Sequence, residues 1–294
     1  MVSKDLPQAH CHREGKVDTL AKGYLTPAEI TEYTVTVGLQ KTQRQYLEVL
    51  IMAILAGMYI AMGGLAASTA AHAITNQGLA KLVAGAVFPI GLMFIIINGG
   101  DLFTGNCLIF VAVLDRKVTI RDFFGNLAIV FLGNLIGAVL LAWLEASGGM
   151  FRISNGLLGA STIATAVAKV NMSFGQAFIL GVMCNLFVCA GVWMTYGATD
   201  VAGKLLAAFF SILAFVISSS EHIVANMYYI PAGIFAKSNP LFVEMAGVDS
   251  AHLANLTWKG FFVKNGIPVT LGNILGGMIL GAMYQVIYRR LRHD

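Results

Sequence analysis

Glu221 and His222 stand side by side inside an apolar run from Leu205 to Ile234. An ionised side chain at the centre of a lipid-spanning helix costs about 2.5–3.5 kcal/mol, so such groups face a protein interior or a wet path. A free imidazole titrates at about pH 6.5, so it can take up or release a proton near neutrality. Three serines, Ser218-Ser219-Ser220, precede the pair. Their hydroxyls compete for local backbone groups, so the helix is expected to break there. The stretch Ser218–Asn226 therefore reads as an interrupted membrane helix lining a pore, with His222 as its proton-handling group. Neighbouring residues on a helix do not share a face, so Glu221 and His222 are not expected to act as a dyad. Ser220, Glu221 and His222 are consecutive and cannot form a nucleophilic triad.

A second stretch repeats the pattern. Gly99-Gly100-Asp101-Leu102-Phe103-Thr104-Gly105-Asn106 lies in the apolar run from Leu82 to Leu114. Both stretches have two small residues, an acid, and an asparagine five positions after the acid. Thr104 is the polar group of this break. Asp101 and Glu221 are expected to play structural roles, capping free amides of the interrupted backbone or of the half-helix that restarts there. A Gly-Asn helix follows each break, Leu132-Gly133-Asn134-Leu135-Ile136-Gly137 and Leu271-Gly272-Asn273-Ile274-Leu275-Gly276. Paired broken helices in corresponding halves point to a substrate path at the membrane midplane. Half-helices restarting at that depth turn positive ends toward it, which attracts an anion and couples its arrival to that of a proton on His222.

The elements that must position these residues are membrane helices. Only 12% of the 294 residues are charged and 57% are hydrophobic, with a mean hydropathy of +0.75. A soluble domain carries about 25% charged residues. The chain reads as an all-α integral membrane protein with six spans near 47–71, 82–114 (broken), 123–146, 174–196, 205–234 (broken) and 267–288. The alternation of a β-barrel is absent. Lys4, Arg13, Lys16, Lys22, Lys41, Arg44, Arg116, Lys117, Arg121, Lys204, Arg289, Arg290 and Arg292 fall on the N-terminal side of the spans, against Lys81, Arg152, Lys169, Lys237, Lys259 and Lys264 on the other. That bias puts both termini in the cytoplasm and accounts for the net charge of +4 without a nucleic-acid partner.

Residues 1–25 read as a flexible cytoplasmic tail without the apolar core of a cleavable signal. His10-Cys11-His12 are too close in sequence to close one tetrahedral site, so no metal and no cofactor is expected. Residues 26–45 read as an amphipathic helix at the membrane interface, started by Thr26-Pro27-Ala28-Glu29 and presenting Ile30, Tyr33 and Val37 on one face. Residues 46–290 form the transmembrane domain and 291–294 a cytoplasmic C-terminus. Cys107, Cys184 and Cys189 lie in spans and act as small apolar groups. Gly133-x-x-x-Gly137, Gly272-x-x-x-Gly276 and Gly277-x-x-x-Gly281 are close-packing faces. No G-x-S-x-G, H-E-x-x-H or G-x-x-x-x-G-K-[ST] motif is present, so no enzyme is expected.

Together these residues resemble the formate/nitrite transporter family. The resemblance spans about residues 26–290 and rests on G-G-D-L-F-T-G-N at 99–106, E-H-I-V-A-N-M at 221–227, C-N-L-F-V-C at 184–189 and I-P-V-T-L-G-N at 267–273. It implies an aquaporin-like six-helix protomer in a homopentamer, each protomer passing small monovalent anions of weak acids. By resemblance His222 is the central pore histidine and Thr104 its partner. Phe88 and Phe215 match an outer constriction, and Leu92, Leu102 and Val188 an inner one. Asn185 and Asn273 match polar residues that hold or face the broken segments. Lys169 alone reads as an exposed loop cation, but it matches the outer vestibule lysine; Val170-Asn171 depart from the histidines often found after it. The expectation is a formate channel of the cytoplasmic membrane, coupled to protons or gated by pH. Nitrite, lactate, acetate and hydrosulfide are the alternatives within the family. A neutral-solute pore of the aquaporin class is the other reading; it is disfavoured because the paired Asn-Pro-Ala signature is missing and Glu-His occupies the second break.

Overall fold

In the computed structural model residues 23–291 are described; the tail with His10-Cys11-His12 and the final residues 292–294 lie outside them. The described residues form helices α1 (Pro27–Gln43), α2 (Tyr46–Ala71), α3 (Gln77–Val87), α4 (Ile90–Asn98), α5 (Phe103–Asn106), α6 (Phe110–Leu114) and α7 (Ile120–Ser147) in the first half. The second half holds α8 (Leu157–Val170), α9 (Phe174–Gly197), α10 (Val201–Ile217), α11 (Ile223–Ala236), α12 (Pro240–Ala246), α13 (Ser250–Leu253) and α14 (Ile267–Gln285). A 3-10 turn, Cys107–Ile109, joins α5 to α6, and a π-helical turn, Gly260–Gly266, leads into α14. Among the described residues there is no β-strand, only an isolated bridge between Tyr24 and Ala198.

Five helical stretches are long and apolar enough to cross a membrane: Tyr46–Ala71, Gln77–Asn98, Ile120–Ser147, Phe174–Gly197 and Gly260–Arg290. The stretch Gln77–Asn98 includes α3 and α4 across Phe88-Pro89, and the short run Phe103–Leu114 follows it beyond a break at 99–102. The fifth expected span is α10 and α11, of 17 and 14 residues, separated by a break at 218–222. Each is shorter than the ~20 residues needed to span lipid alone. Both expected interruptions are therefore present.

The two halves repeat each other. α1 corresponds to α8, α2 to α9, α3–α4 to α10, α5–α6 to α11 and α7 to α14. α2 packs along α7, and α9 along α14. These contacts depend on glycine. A Cβ on Gly137 would overlap the Ile54 carbonyl, and one on Gly272 would overlap the Phe178 carbonyl. The small-residue spacing read from the sequence is what lets the backbones meet.

Two features differ from the sequence reading. The stretch before the fourth span is not a loop: α8 buries Leu158, Ile163, Ala166 and Val170, and Lys169 sits in its last turn. The other feature is α1, which starts with the expected capping box of Thr26 and Glu29. Its buried face, however, is Ile30, Thr31, Thr34, Val35 and Gly38, packed on α6 and α9. Thr31 and Thr34 return their hydroxyls to the carbonyls of Pro27 and Ile30 at 2.8 and 2.7 Å, so they pack without a polar debt. Tyr33 and Val37 instead line a cavity.

Apolar side chains that remain exposed run in helical rows along the outside, such as Leu132, Ile136, Leu140 and Trp143 on α7 and Leu271, Leu275, Ile279 and Met283 on α14. Gly137→Val and Gly272→Val should each force apart a helix pair and cost about 1–3 kcal/mol or more. The measurement is the fraction of detergent-solubilised protein that stays monodisperse after graded heating. Survival equal to the parent would show that these contacts do not limit the packing.

Candidate functional site

Both breaks are held open by asparagine. Gly99 takes φ 89°, a backbone conformation that suits glycine, and Ser219 takes φ 57° in the second break. The first amide of each restarting helix would be orphaned in a dry interior, where an unmet donor costs about 1–3 kcal/mol. Phe103 N donates to Asn134 Oδ1 at 2.9 Å, and Asn134 Nδ2 donates to the carbonyls of Ala53 and Asp101 at 2.7 and 2.9 Å. In the other half Ile223 N donates to Asn273 Oδ1 at 2.9 Å, and Asn273 Nδ2 donates to the carbonyls of Gly181 and Glu221 at 2.7 and 2.9 Å. One side chain thus ties the broken segment to two neighbouring helices.

The capping expected of Asp101 and Glu221 is therefore supplied by asparagine. The acids do something else. Asp101 accepts from Lys41 at 2.8 Å, from Arg44 at 2.9 Å and from Asn106 Nδ2 at 3.2 Å. Glu221 accepts from Lys169 at 2.8 Å, from Asn226 Nδ2 at 2.7 Å and from Asn265 Nδ2 at 3.4 Å. A buried carboxylate needs a cation more than a neutral amide does, whereas an asparagine offers donor and acceptor at once. The circuits match further. Asn106 donates to Asn126 Oδ1 and Asn226 to Asn265 Oδ1, both at 2.8 Å. Asn126 and Asn265 each reach back to the carbonyl of the lysine in their own circuit, Lys41 and Lys169.

Between the circuits lies His222, 3% exposed, as the N-cap of α11. Its Nδ1 accepts from Ala225 N at 3.0 Å, and its Nε2 lies 2.9 Å from Thr104 Oγ1. An acceptor at Nδ1 leaves the neutral ring's hydrogen on Nε2, directed at Thr104. The threonine hydroxyl hydrogen is then free for a ligand. Asn185 Nδ2 braces this spot by donating to the carbonyls of Thr104 and Asn273 at 3.2 and 2.6 Å. His222 and Glu221 point to different partners and do not form a dyad.

A cavity of about 680 Å³ lies on the α8 side of His222, lined by Phe88, Phe215, Lys169, Glu221 and His222 among others. A second, of about 280 Å³, lies on the α1 side, lined by Leu92, Leu102, Lys41 and Arg44 among others. The lead helix of each repeat thus lines a different cavity, so the repeats run in opposite senses. Phe88 and Phe215 pack edge to face with centroids 5.6 Å apart, and Phe215 lies 5.8 Å from the His222 ring. Phe88, Phe215, Leu92 and Leu102 are all buried. Val188 is fully buried and borders neither cavity. Lys169 is 15% exposed and ion-paired, with its ammonium 5.6 Å from the Tyr229 ring.

Residues 28–287 match the profile of the formate/nitrite transporter family. The chain belongs to the formate/nitrite transporter family. Its relatives include the formate channel FocA of Haemophilus influenzae, 38% identical over 265 residues, which span 89% of this chain and 93% of that one. A probable formate transporter of Methanothermobacter thermautotrophicus is 35% identical over 281 residues, 90% of this chain and 96% of that one. A solved structure described as a pentameric formate channel with formate bound superposes with a TM-score of 0.74 at 33% identity, covering 83% of this chain and 97% of the other.

For this formate/nitrite transporter member, sequence reading missed Lys41, Arg44, Asn126 and Asn265. A signal for the asparagines existed: each stands eight positions before its Gly-Asn asparagine, Asn126 before Asn134 and Asn265 before Asn273. The ion pair gives a test. Lys169→Met should strand a carboxylate that is 3% exposed and destabilise the fold by about 3–5 kcal/mol. Adding Glu221→Gln should restore most of that loss in thermal unfolding. Equal melting of Lys169→Met and the parent would show that the pair carries no stability.

Proposed function

We propose that this protein is a membrane channel for small monovalent anions of weak acids, with formate as the foremost substrate. The observation that carries the proposal is the contact between His222 Nε2 and Thr104 Oγ1, buried where two restarting helices meet between two cavities. α11 and the run Phe103–Leu114 both begin here, so their positive ends favour a negative guest. Family membership and relatives named for formate support the same reading.

The path runs from the larger cavity past Phe88 and Phe215, along Thr104 and His222, and past Leu92 and Leu102 into the smaller one. A bare anion between apolar rings is costly. The chain's remedy is a donor pair at the centre, the Thr104 hydroxyl and the His222 Nε2–H. The Ala225 amide holds Nδ1, so a further proton on the ring must displace that bond. An anion at Nε2 and a proton at Nδ1 favour each other by opposite charge. The doubly protonated ring then gives its Nε2 proton to the guest and returns to neutral with its hydrogen on Nδ1, and the guest leaves through the apolar rings as a neutral acid. Lys169 lines the larger mouth, but its charge is matched by Glu221, so its role there is to neutralise the buried acid beside the path.

The apolar outer rows of α7 and α14 suit lipid and neighbouring protomers, and a homopentamer is the assembly proposed. The Lys and Arg bias supports a reading with both termini in the cytoplasm and the protein in the cytoplasmic membrane. Proteoliposome uptake tests the reading. Formate flux should rise as external pH falls from about 7 to 5, nitrite, lactate, acetate and hydrosulfide should rank by size and acidity, and sulfate should be excluded. His222→Phe should assemble yet lose pH-dependent formate flux, and His222→Asn should keep flux with a flatter pH profile. Parental rate and pH profile in His222→Phe would return His222 to a packing role.

A further inference from the structure

The two acids of the breaks are matched by cations, but a third buried acid is not. Glu145 stands in the last turn of α7 and is 2% exposed. Its Oε2 lies 2.9 Å from Tyr228 Oη, and its Oε1 is buried without a hydrogen-bond partner among the described residues. No Lys, Arg or His nitrogen among the described residues lies within 4.0 Å of it. At this end α7 packs on α2, α11 and the turn Met150–Gly156. The titratable and charged groups those elements bring are His72, Tyr228, Tyr229 and Arg152. His72 is turned to Thr69 O and Ser154 Oγ, both at 2.8 Å, and Arg152 is exposed. Lys169 and Glu221, beyond the Tyr229 ring, are paired with each other.

An ionised carboxylate in this place has neither a countercharge nor water, and it sits at the negative end of the α7 dipole. A neutral acid removes the conflict. Its Oε2–H donates to Tyr228 Oη, and the tyrosine hydrogen is then released to a further acceptor. The one unmet atom becomes a neutral carbonyl oxygen, which is less costly to bury than a share of a full charge. Ser68 supplies the further acceptor, since its hydroxyl lies beside those of Tyr228 and Tyr229. A Cβ on Gly64, one turn before Ser68, would overlap the Tyr228 ring, so α2 and α11 meet closely here. Ser68 and Tyr229 line the larger cavity, whereas Glu145 and Tyr228 lie behind them. Hydroxyls thus lead from the buried acid to the wet side. The inverted repeat has no second copy: the positions that match Glu145 and Tyr228 hold Tyr284, stacked on Trp193, and the buried Leu108.

We propose that Glu145 is a second proton-binding site of the protomer, in exchange with the larger cavity through Tyr228 and Ser68. When the site empties, the Glu145 O–H bond breaks and its proton goes to Tyr228 Oη. The tyrosine's own hydrogen goes to Ser68 Oγ, and the serine's goes to a water in the cavity. Both hydroxyls end as they began, and one carboxylate is left behind. Filling runs the same steps in reverse. His222 takes no part, because its ring is bonded to Thr104 and the Ala225 amide. The site therefore holds a proton beside the cavity onto which His222 opens, at a place no anion reaches. It stands independently of which solute crosses the protein.

The test is infrared spectroscopy of the full chain in detergent at about pH 7, where solvated Asp and Glu are ionised. The parent should show the carbonyl stretch of a protonated carboxyl group, and Glu145→Gln should lose it. No such band in the parent, or the same band in Glu145→Gln, overturns the site. A parent labelled with ¹³C at its glutamate carboxyls gives a readout that needs no variant: the band should move with the label, and a band that stays put overturns the site. The route is tested by transfer to heavy water, which shifts the band as the acid exchanges its hydrogen. Ser68→Ala leaves the Glu145–Tyr228 contact in place and should slow that shift about 100-fold, the low end of what a positioned proton-transfer group contributes. Tyr228→Phe should slow it as well, and parental exchange in both variants overturns the route. The band without formate flux in the parent keeps the site and sinks the channel reading. Formate flux without the band keeps the channel reading and sinks the site.

Discussion

A broken helix in a lipid-spanning protein exposes backbone amides where water cannot meet them. The structure answers with Asn134 and Asn273, each accepting from a restarting amide and donating to two carbonyls. Everything at the centre depends on these braces. They bring Thr104 and His222 to 2.9 Å from elements 118 residues apart, and they let two helix starts converge on one depth. The glycines beside them, Gly133 and Gly272, are part of the same device, because only a close approach of α7 to α2 and of α14 to α9 puts the amide within reach.

Charge is handled by a related logic. Asp101 and Glu221 are 0% and 2% exposed, and each has a lysine and two asparagine side chains nearby to share the burden. Removing Lys169 would leave Glu221 without a cation in a medium that solvates it poorly, whereas Asp101 would keep Arg44 after loss of Lys41. The same pairing leaves each acid with its charge matched inside its own circuit. Between the two cavities the polar contact is that of Thr104 with His222, and the side chains next to it, Phe88 and Phe215 toward one cavity and Leu92 and Leu102 toward the other, are apolar.

The inverted repeat explains why so many side chains come in pairs and also where the pairing fails. Leu102 stands in the first break where His222 stands in the second, so the titratable group exists once. Arg44 and Lys204 line the α1-side cavity, and the positions that match them in the other half hold Met172 and Ala84, which line the larger cavity.

Much of this was legible in the residues. The apolar runs, the two small-small-acid stretches and the Gly-Asn echoes determined a membrane protein with two interrupted spans, because lipid demands length and apolarity that few other folds show. The singling out of His222 and Thr104 also came from that pattern. What the sequence could not decide was who partners whom. The roles of Asp101 and Glu221, the burial of α1 on its threonine face, the helix at Leu157–Val170 and the braces from Asn134 and Asn273 all depend on groups tens of residues away. A side chain's nearest neighbour along the chain is set by covalent geometry, but its partner for charge or hydrogen is set by which helices the glycine contacts allow to touch. Only the packed structure fixes those distances, and in a medium without water those distances decide what each polar group does.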